Sequence, residues 1–155
     1  MIEIKRSELF EISLDYNREV NYVSVFNGGK FCKYITVKNL GSKAVNNIVL
    51  TLGGYYFQEA TFEIPSIGAK KSVTIDCSNF KPSIDKLILL AEAVYSEASV
   101  KLSNKVREIE EFKIPVNLQA WNYWESDPGH YEDVSSFVMP IHEYVVELIA
   151  RVQDV

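Results

Sequence analysis

One pattern constrains this chain more than any other. Apolar and polar residues alternate, segment after segment, and a turn signal closes each segment. Such a segment buries one face cleanly only as a β-strand, because successive side chains of a strand point to opposite sides of a sheet. Phe10, Ile12 and Leu14 share one parity in a predicted strand at 9–14, with Glu11 and Ser13 on the other. Ile48, Leu50 and Leu52 repeat the pattern before Gly53-Gly54. Ala60, Phe62 and Ile64 line the inner face of a predicted strand at 56–64, turned by 65–68. Val73, Ile75 and Cys77 alternate with Ser72, Thr74 and Asp76. A long hairpin comes next, out over 91–102, through Ser103-Asn104, and back over 106–120. Its inner face takes Val94, Ala98, Val100 and Leu102, then Phe112, Ile114, Val116 and Leu118. Pro115 falls on the outer parity and lacks an N–H, which predicts an edge position or a bulge there.

Two further strands are predicted at 22–26 and 31–39. Asn27-Gly28 between them tolerates positive φ and favours a tight hairpin. In the second strand Phe31, Ile35 and Val37 face in, while Cys32, Tyr34, Thr36 and Lys38 face out. This parity puts Cys32 outside and Cys77 inside, so the two cysteines are expected to be unpaired, reduced thiols. Segment 83–90 fits either a short helix capped by Ser83 or the start of the next strand. Composition supports the strand reading: Val (17) and Ile (14) abound, while Ala, the best helix former, numbers 8. The reading is therefore an all-β fold, an immunoglobulin-like antiparallel β-sandwich of about 7–9 strands. The Cys…Trp…Cys spacing of antibody domains is absent.

The end of the chain has another period. Ile141, Tyr144, Val145, Leu148, Ile149 and Val152 keep the i, i+3, i+4 spacing of an amphipathic helix, and Pro140 suits its start. The expected organisation is a sandwich over 1–122, then an aromatic and acidic loop with a C-terminal helix over 123–155. That helix either folds back on the sandwich or leads into a further domain.

The chemistry of the chain narrows its function by exclusion. Lys+Arg number 16 against 21 Asp+Glu, a net charge of −5, so the basic footprint of a nucleic-acid module is missing. No apolar run approaches the ~18–20 residues of a membrane span, and the first residues lack a signal-peptide stretch. A cytoplasmic protein without membrane contact is the expectation. Neither His130 nor His142 has a Cys or His at ligand spacing, so no zinc site is expected. No GxSxG elbow, P-loop or GxGxxG occurs. Glu125, Asp127, Glu132 and Asp133 lack EF-hand spacing and read as a solvated loop. Glu110 and Glu111 point to opposite faces of one strand and do not converge on a substrate. No catalytic residue, metal or cofactor is therefore expected, and the chain does not read as an enzyme.

What remains is aromatic. Trp121, Tyr123, Trp124 and Tyr131, with Phe137, Tyr144 and Leu148 behind them, form the candidate interface for a protein or an adjacent domain. Two alternatives stay open. A small-ligand or carbohydrate-binding sandwich needs an exposed, coplanar ring platform, and an adhesin-like module would be marked by a Cys32–Cys77 bridge. The sequence carries no signal for the oligomeric state.

Several segments also resemble a known family. NYVSVFNGGKFCKYITVKN, at 21–39, resembles the opening hairpin of an immunoglobulin-like domain found at the N-terminus of very large bacterial helicase-related proteins. The matching positions are Asn21, Asn27, Gly28, Ile35, Thr36, Val37 and Asn39. The segment 90–124 is similar in spacing, with Trp124 where that family keeps a Trp. Phe137-Val138-x-Pro140-x-His142 resembles the family's link to its next domain, although Ile141 replaces an Asn and 131–136 departs from the usual Leu/Ala-rich run. The resemblance implies an accessory, cytoplasmic domain succeeded in its relatives by transglutaminase-like and superfamily 1 helicase regions. It implies no catalytic residue in this chain, and it implies that the chain is a fragment or a shortened relative.

Overall fold

The computed structural model describes residues 1–104 and 107–123. The expected loop and helix of 124–155 lie outside the described residues, and with them the candidate residues Trp124, Tyr131, Phe137, Tyr144 and Leu148.

The described residues form nine strands and two short helices. In chain order they are β1 (Ile2–Arg6), β2 (Phe10–Tyr16), β3 (Glu19–Val20), α1 (Tyr22–Phe26), β4 (Cys32–Asn39), β5 (Val45–Gly53), β6 (Ala60–Ile67), β7 (Ser72–Asp76), α2 (Ile84–Leu87), β8 (Val94–Ser103) and β9 (Glu108–Leu118). They form two sheets, ordered β1-β2-β4-β7 and β3-β9-β8-β5-β6. Every pairing among them is antiparallel except the short parallel match of β3 with β9. The chain changes sheet on either side of β3, between β4 and β5, between β6 and β7, and between β7 and β8. Placing β4 and β7 in one sheet and β5, β8 and β9 in the other reproduces the immunoglobulin-like arrangement. The fold is an all-β sandwich, as the alternation predicts.

Parity built the core. Phe10, Ile12, Leu14, Ile35 and Val37 of one sheet meet Ile48, Leu50, Leu52, Val100, Leu102, Ile114, Val116 and Leu118 of the other, all buried. Pro115 lies opposite Glu97 on β8 and beyond the reach of β3, so that side of β9 is a free edge. Its missing N–H costs no ladder hydrogen bond, and its carbonyl lies 3.1 Å from the Tyr16 hydroxyl. At the far end of the sandwich, buried Asn39 donates its side-chain amide to the carbonyls of Lys43 (2.8 Å) and Ile67 (3.1 Å). It also accepts from the Gly41 N–H (2.8 Å). The Asn-x-Gly of that turn is thus an Asx turn that also ties β4 to the end of β6.

Three expectations are corrected and one open alternative is settled. Residues 22–26 form α1 rather than a strand, and Asn27-Gly28 ends that helix instead of turning a hairpin. Cys32 is buried, not outward. The register slips between Asp15 and Tyr16, which face Tyr34 and Cys32, so Lys33 is bulged out and the parity of β4 reverses before it. The strand predicted at 56–64 begins only at Ala60 and runs on through Ile67, past the turn expected at 65–68. Segment 83–90 resolves in favour of a one-turn helix, α2, although Ser83 makes no side-chain capping bond.

Candidate functional site

The described chain leaves the sandwich at one end, here called the exit pole. The topology gathers several segments there. β9 ends at Leu118 opposite Val94, the start of β8. The Gln119 N–H donates to Val20 just before α1, and the Trp121 N–H donates 2.8 Å to Leu90 just after α2. β5 runs toward the same pole, its last residue Gly53 pairing with Ser99 midway along β8. Beyond it the Ser83 N–H donates 2.8 Å to Tyr56, which brings α2 beside the 54–57 turn. Helices α1 and α2 touch each other.

Beneath this pole the core is aromatic. Phe31 lies 4.7 Å from Phe57 and 5.6 Å from Phe80, ring centre to ring centre, and Phe57 stacks on Phe80 at 5.1 Å. Tyr16 meets Phe31 edge-on at 5.5 Å. These four buried rings close the end of the sandwich. Trp121 is half-buried.

Several large apolar side chains at this pole are exposed. Leu89 is 79% exposed, Tyr55 71%, Phe26 48%, Tyr123 40% and Ile84 37%. Lys86 bridges two parts of this surface. Its ammonium lies 4.1 Å from the centre of the Tyr55 ring and donates to the Tyr55 carbonyl. Tyr22 stacks on Phe26 at 5.7 Å. The structure thus places the predicted residues Trp121 and Tyr123 at the edge of a wider apolar surface. Sequence reasoning missed Leu89, Phe26 and Ile84. A signal for the first was present: Leu87-Ile88-Leu89-Leu90 is four apolar residues in a row, and a single helical turn cannot bury them all.

Groups that could do chemistry are instead tied into the scaffold. The Tyr16 hydroxyl lies 2.5 Å from Glu3, which also pairs with Lys5 at 2.9 Å. Burial opposes the charge on Glu3, but the hydrogen bonds from Tyr16 and Lys5 outweigh it and hold the carboxyl below its ordinary range. Burial, then the neighbouring Glu3 carboxylate, push the Tyr16 phenol well up. Cys32 and Cys77 are free, buried neighbours on the inner face of one sheet. Their mutual contact, followed by burial, pushes the Cys32 thiol up, which suppresses thiolate chemistry. Among the described residues no cluster of His, Cys, Asp or Glu is arranged to hold a metal ion. No helix among them is long and apolar enough to cross a membrane. A polar depression beside Met1 and Asp15 holds an ion pair between the N-terminal ammonium and that carboxylate at 3.5 Å.

The chain matches no protein-family model, and no curated protein matches it.

Proposed function

We propose that this chain is a non-catalytic interaction module, an accessory domain that makes protein–protein or interdomain contacts through its exit pole. The observation that carries this reading is that Leu89, Ile84, Phe26, Tyr55 and Tyr123, five exposed apolar side chains from α1, α2, the turn after β5 and the segment after β9, are drawn to one end of the sandwich, whereas the other exposed large apolar residues, Met1, Ile2, Ile4, Leu9, Tyr34 and Tyr95, are spread over β1 and its flanks, β4 and β8. Ion pairs such as Lys101–Glu108 and Lys101–Glu111, both 3.7 Å, mark one of those faces as solvated. The likeness of 21–39 and 90–124 to the N-terminal domain of large bacterial helicase-related proteins supports a cytoplasmic place within such a protein. No observation favours the carbohydrate-binding or adhesin-like alternatives over this one.

The test places a photo-crosslinking residue at position 89 or at position 95 of the whole chain in cells. Tyr95 is 85% exposed and lies on the outer face of the larger sheet, so it controls for exposure alone. Position 89 is expected to form a discrete crosslinked product that position 95 does not. Equal labelling from both positions, or none from either, overturns the reading. The helicase context is tested by the reading frame past Val155, where a continuous transglutaminase-like and helicase region is the expected result.

A further inference from the structure

We propose that β1 is a self-pairing edge: two copies of this chain join antiparallel along β1, about a two-fold axis at Ile4, and continue the smaller sheet from one molecule into the next. This surface is separate from the exit pole, and its occupant is a second copy. Three observations define the pairing.

The first is which backbone groups are open. Among the described residues β1 is the outermost strand of its sheet, paired with β2 alone. The Tyr16 N–H donates 2.9 Å to the Met1 carbonyl, and the Met1 ammonium donates back to the Tyr16 carbonyl at 3.0 Å. At the other end of the strand the Ser7 N–H donates 2.8 Å to Phe10. Hydrogen-bonded and non-bonded pairs alternate along an antiparallel ladder. Met1, Glu3, Lys5 and Ser7 therefore direct their backbone groups at β2. The N–H and C=O groups of Ile2, Ile4 and Arg6 point the other way, and no strand among the described residues takes them up. A second β1 can take them up in a register that sets even-numbered residues opposite even-numbered ones.

The second is charge. Glu3 and Lys5 lie opposite the buried Leu14 and Ile12, on the inner face, and pair with each other at 2.9 Å. Charges turned inward on an edge deter incoming strands. Here the order of the signs admits one register. With Ile4 opposite Ile4 of the second copy, Glu3 lies opposite Lys5 on both sides of the axis, and Ile2 lies opposite Arg6. Each Glu3–Lys5 match falls on a non-hydrogen-bonded pair, where side chains come closest. An axis at Glu3 would oppose two carboxylates, and an axis at Lys5 two ammoniums. The register at Ile4 also overlaps all five residues of the strand.

The third is the outer face. Ile2 and Ile4 are 69% and 62% exposed, so β1 turns its apolar side chains outward and its charges inward. In the pairing, Ile4 meets Ile4 of the second copy directly and Ile2 of that copy diagonally. The isoleucines of both copies then form one strip across the seam. One face gains apolar contact and the other gains opposite charge.

An overlap of five residues a side is smaller than a standard interface, so a weak, reversible dimer is expected. The experiment is sedimentation equilibrium of the whole chain at concentrations up to about 1 mM, with far-ultraviolet circular dichroism to confirm that each variant is folded. Wild type is expected to dimerise within that range. K5E and E3K, each alone, should weaken the dimer at least about ten-fold, because each sets like charges opposite one another. Mixed in equal amounts, they should associate again as a heterodimer, since the two carboxylates of one chain then face the two ammoniums of the other. I4P removes an N–H that β2 does not use, so it should keep the fold and lose the dimer. A wild type that stays monomeric overturns the inference. A dimer that K5E and I4P leave intact overturns it too, because association then runs through another surface such as the exit pole. Folded K5E and E3K whose mixture stays monomeric overturn the two-fold register, and the inference with it.

Discussion

Tyr16 shows how one residue closes a sandwich. It ends β2 in one sheet, yet its hydroxyl reaches Glu3 on β1 and the Pro115 carbonyl on β9 in the other. The phenol has one proton to give, and the carboxylate is the stronger acceptor. Replacing Tyr16 with Phe leaves Glu3 partly buried without that donor, and should cost about 2 kcal/mol at neutral pH. The pH dependence carries a sign. The Glu3 carboxyl is held low in the folded state, so its contribution is present above its unfolded value near 4.5 and lost on acidification below it. The Tyr16 phenol is held high, so its contribution is present below the unfolded value near 10.0 and lost as pH rises past it. The gap between wild type and Y16F in urea unfolding should therefore be widest between these limits and narrow on both sides. A gap constant from about pH 3 to about pH 11 would show that the lost packing, not the charge, was responsible. The sequence did not disclose this seam, because Glu3 and Tyr16 become neighbours only through the β1–β2 pairing. Nor did it disclose the inward turn of Cys32. Parity places the odd residues of β4 inside, but the bulge at Lys33 breaks the count, and nothing in Phe-Cys-Lys-Tyr announces a bulge.

At the scale of elements, α1 is where local propensity lost to capping. Tyr22, Val23, Val25 and Phe26 all favour strands, and five residues are too few to show a helical period. The termini decide the matter. Asn21 is extended, and its side-chain oxygen accepts the Ser24 N–H at 2.6 Å, an N-cap bond. At the other end the Gly29 N–H donates to Ser24 and the Gly28 N–H to Val25, the pair of bonds that defines a Schellman motif. Asn-Gly was thus correctly legible as a site of positive φ, which Gly28 adopts at +84°, but a hairpin and a helix end use that freedom alike. The two glycines differ in kind. A Cβ on Gly28 meets open space and would suffer only backbone strain, about 1 kcal/mol. A Cβ on Gly29 would sit 2.6 Å from the Ser24 carbonyl oxygen, which cannot retreat without breaking the motif. Thermal or urea unfolding should rank G29A as the most damaging change, at about 2 kcal/mol or more, above G28A and N21A at about 1 kcal/mol each. Equal effects of the two glycine variants would count against the Schellman geometry.

For the whole molecule, the predicted division at 1–122 rests on whether the sandwich is complete without residues 124–155. Among the described residues the buried cluster runs from Phe10 to Leu118, and both sheets contribute to it. The strands that close it were the most legible part of the sequence, since β2, β5 and β9 bury every residue that alternation assigned to the core, and β8 buries all but the half-buried Val94. The exit pole was the least legible, because it is assembled from α1, α2 and the turn after β5, three segments too short or too irregular to carry a period. A protein of residues 1–123 should therefore fold alone and unfold in one cooperative step, with fluorescence and far-ultraviolet circular dichroism giving the same urea midpoint. Its core amides should exchange as slowly as those of the whole chain. An unfolded 1–123 would mean that residues beyond Tyr123 belong to the core. A folded 1–123 with unprotected core amides would mean that the two sheets depend on those residues for tight packing.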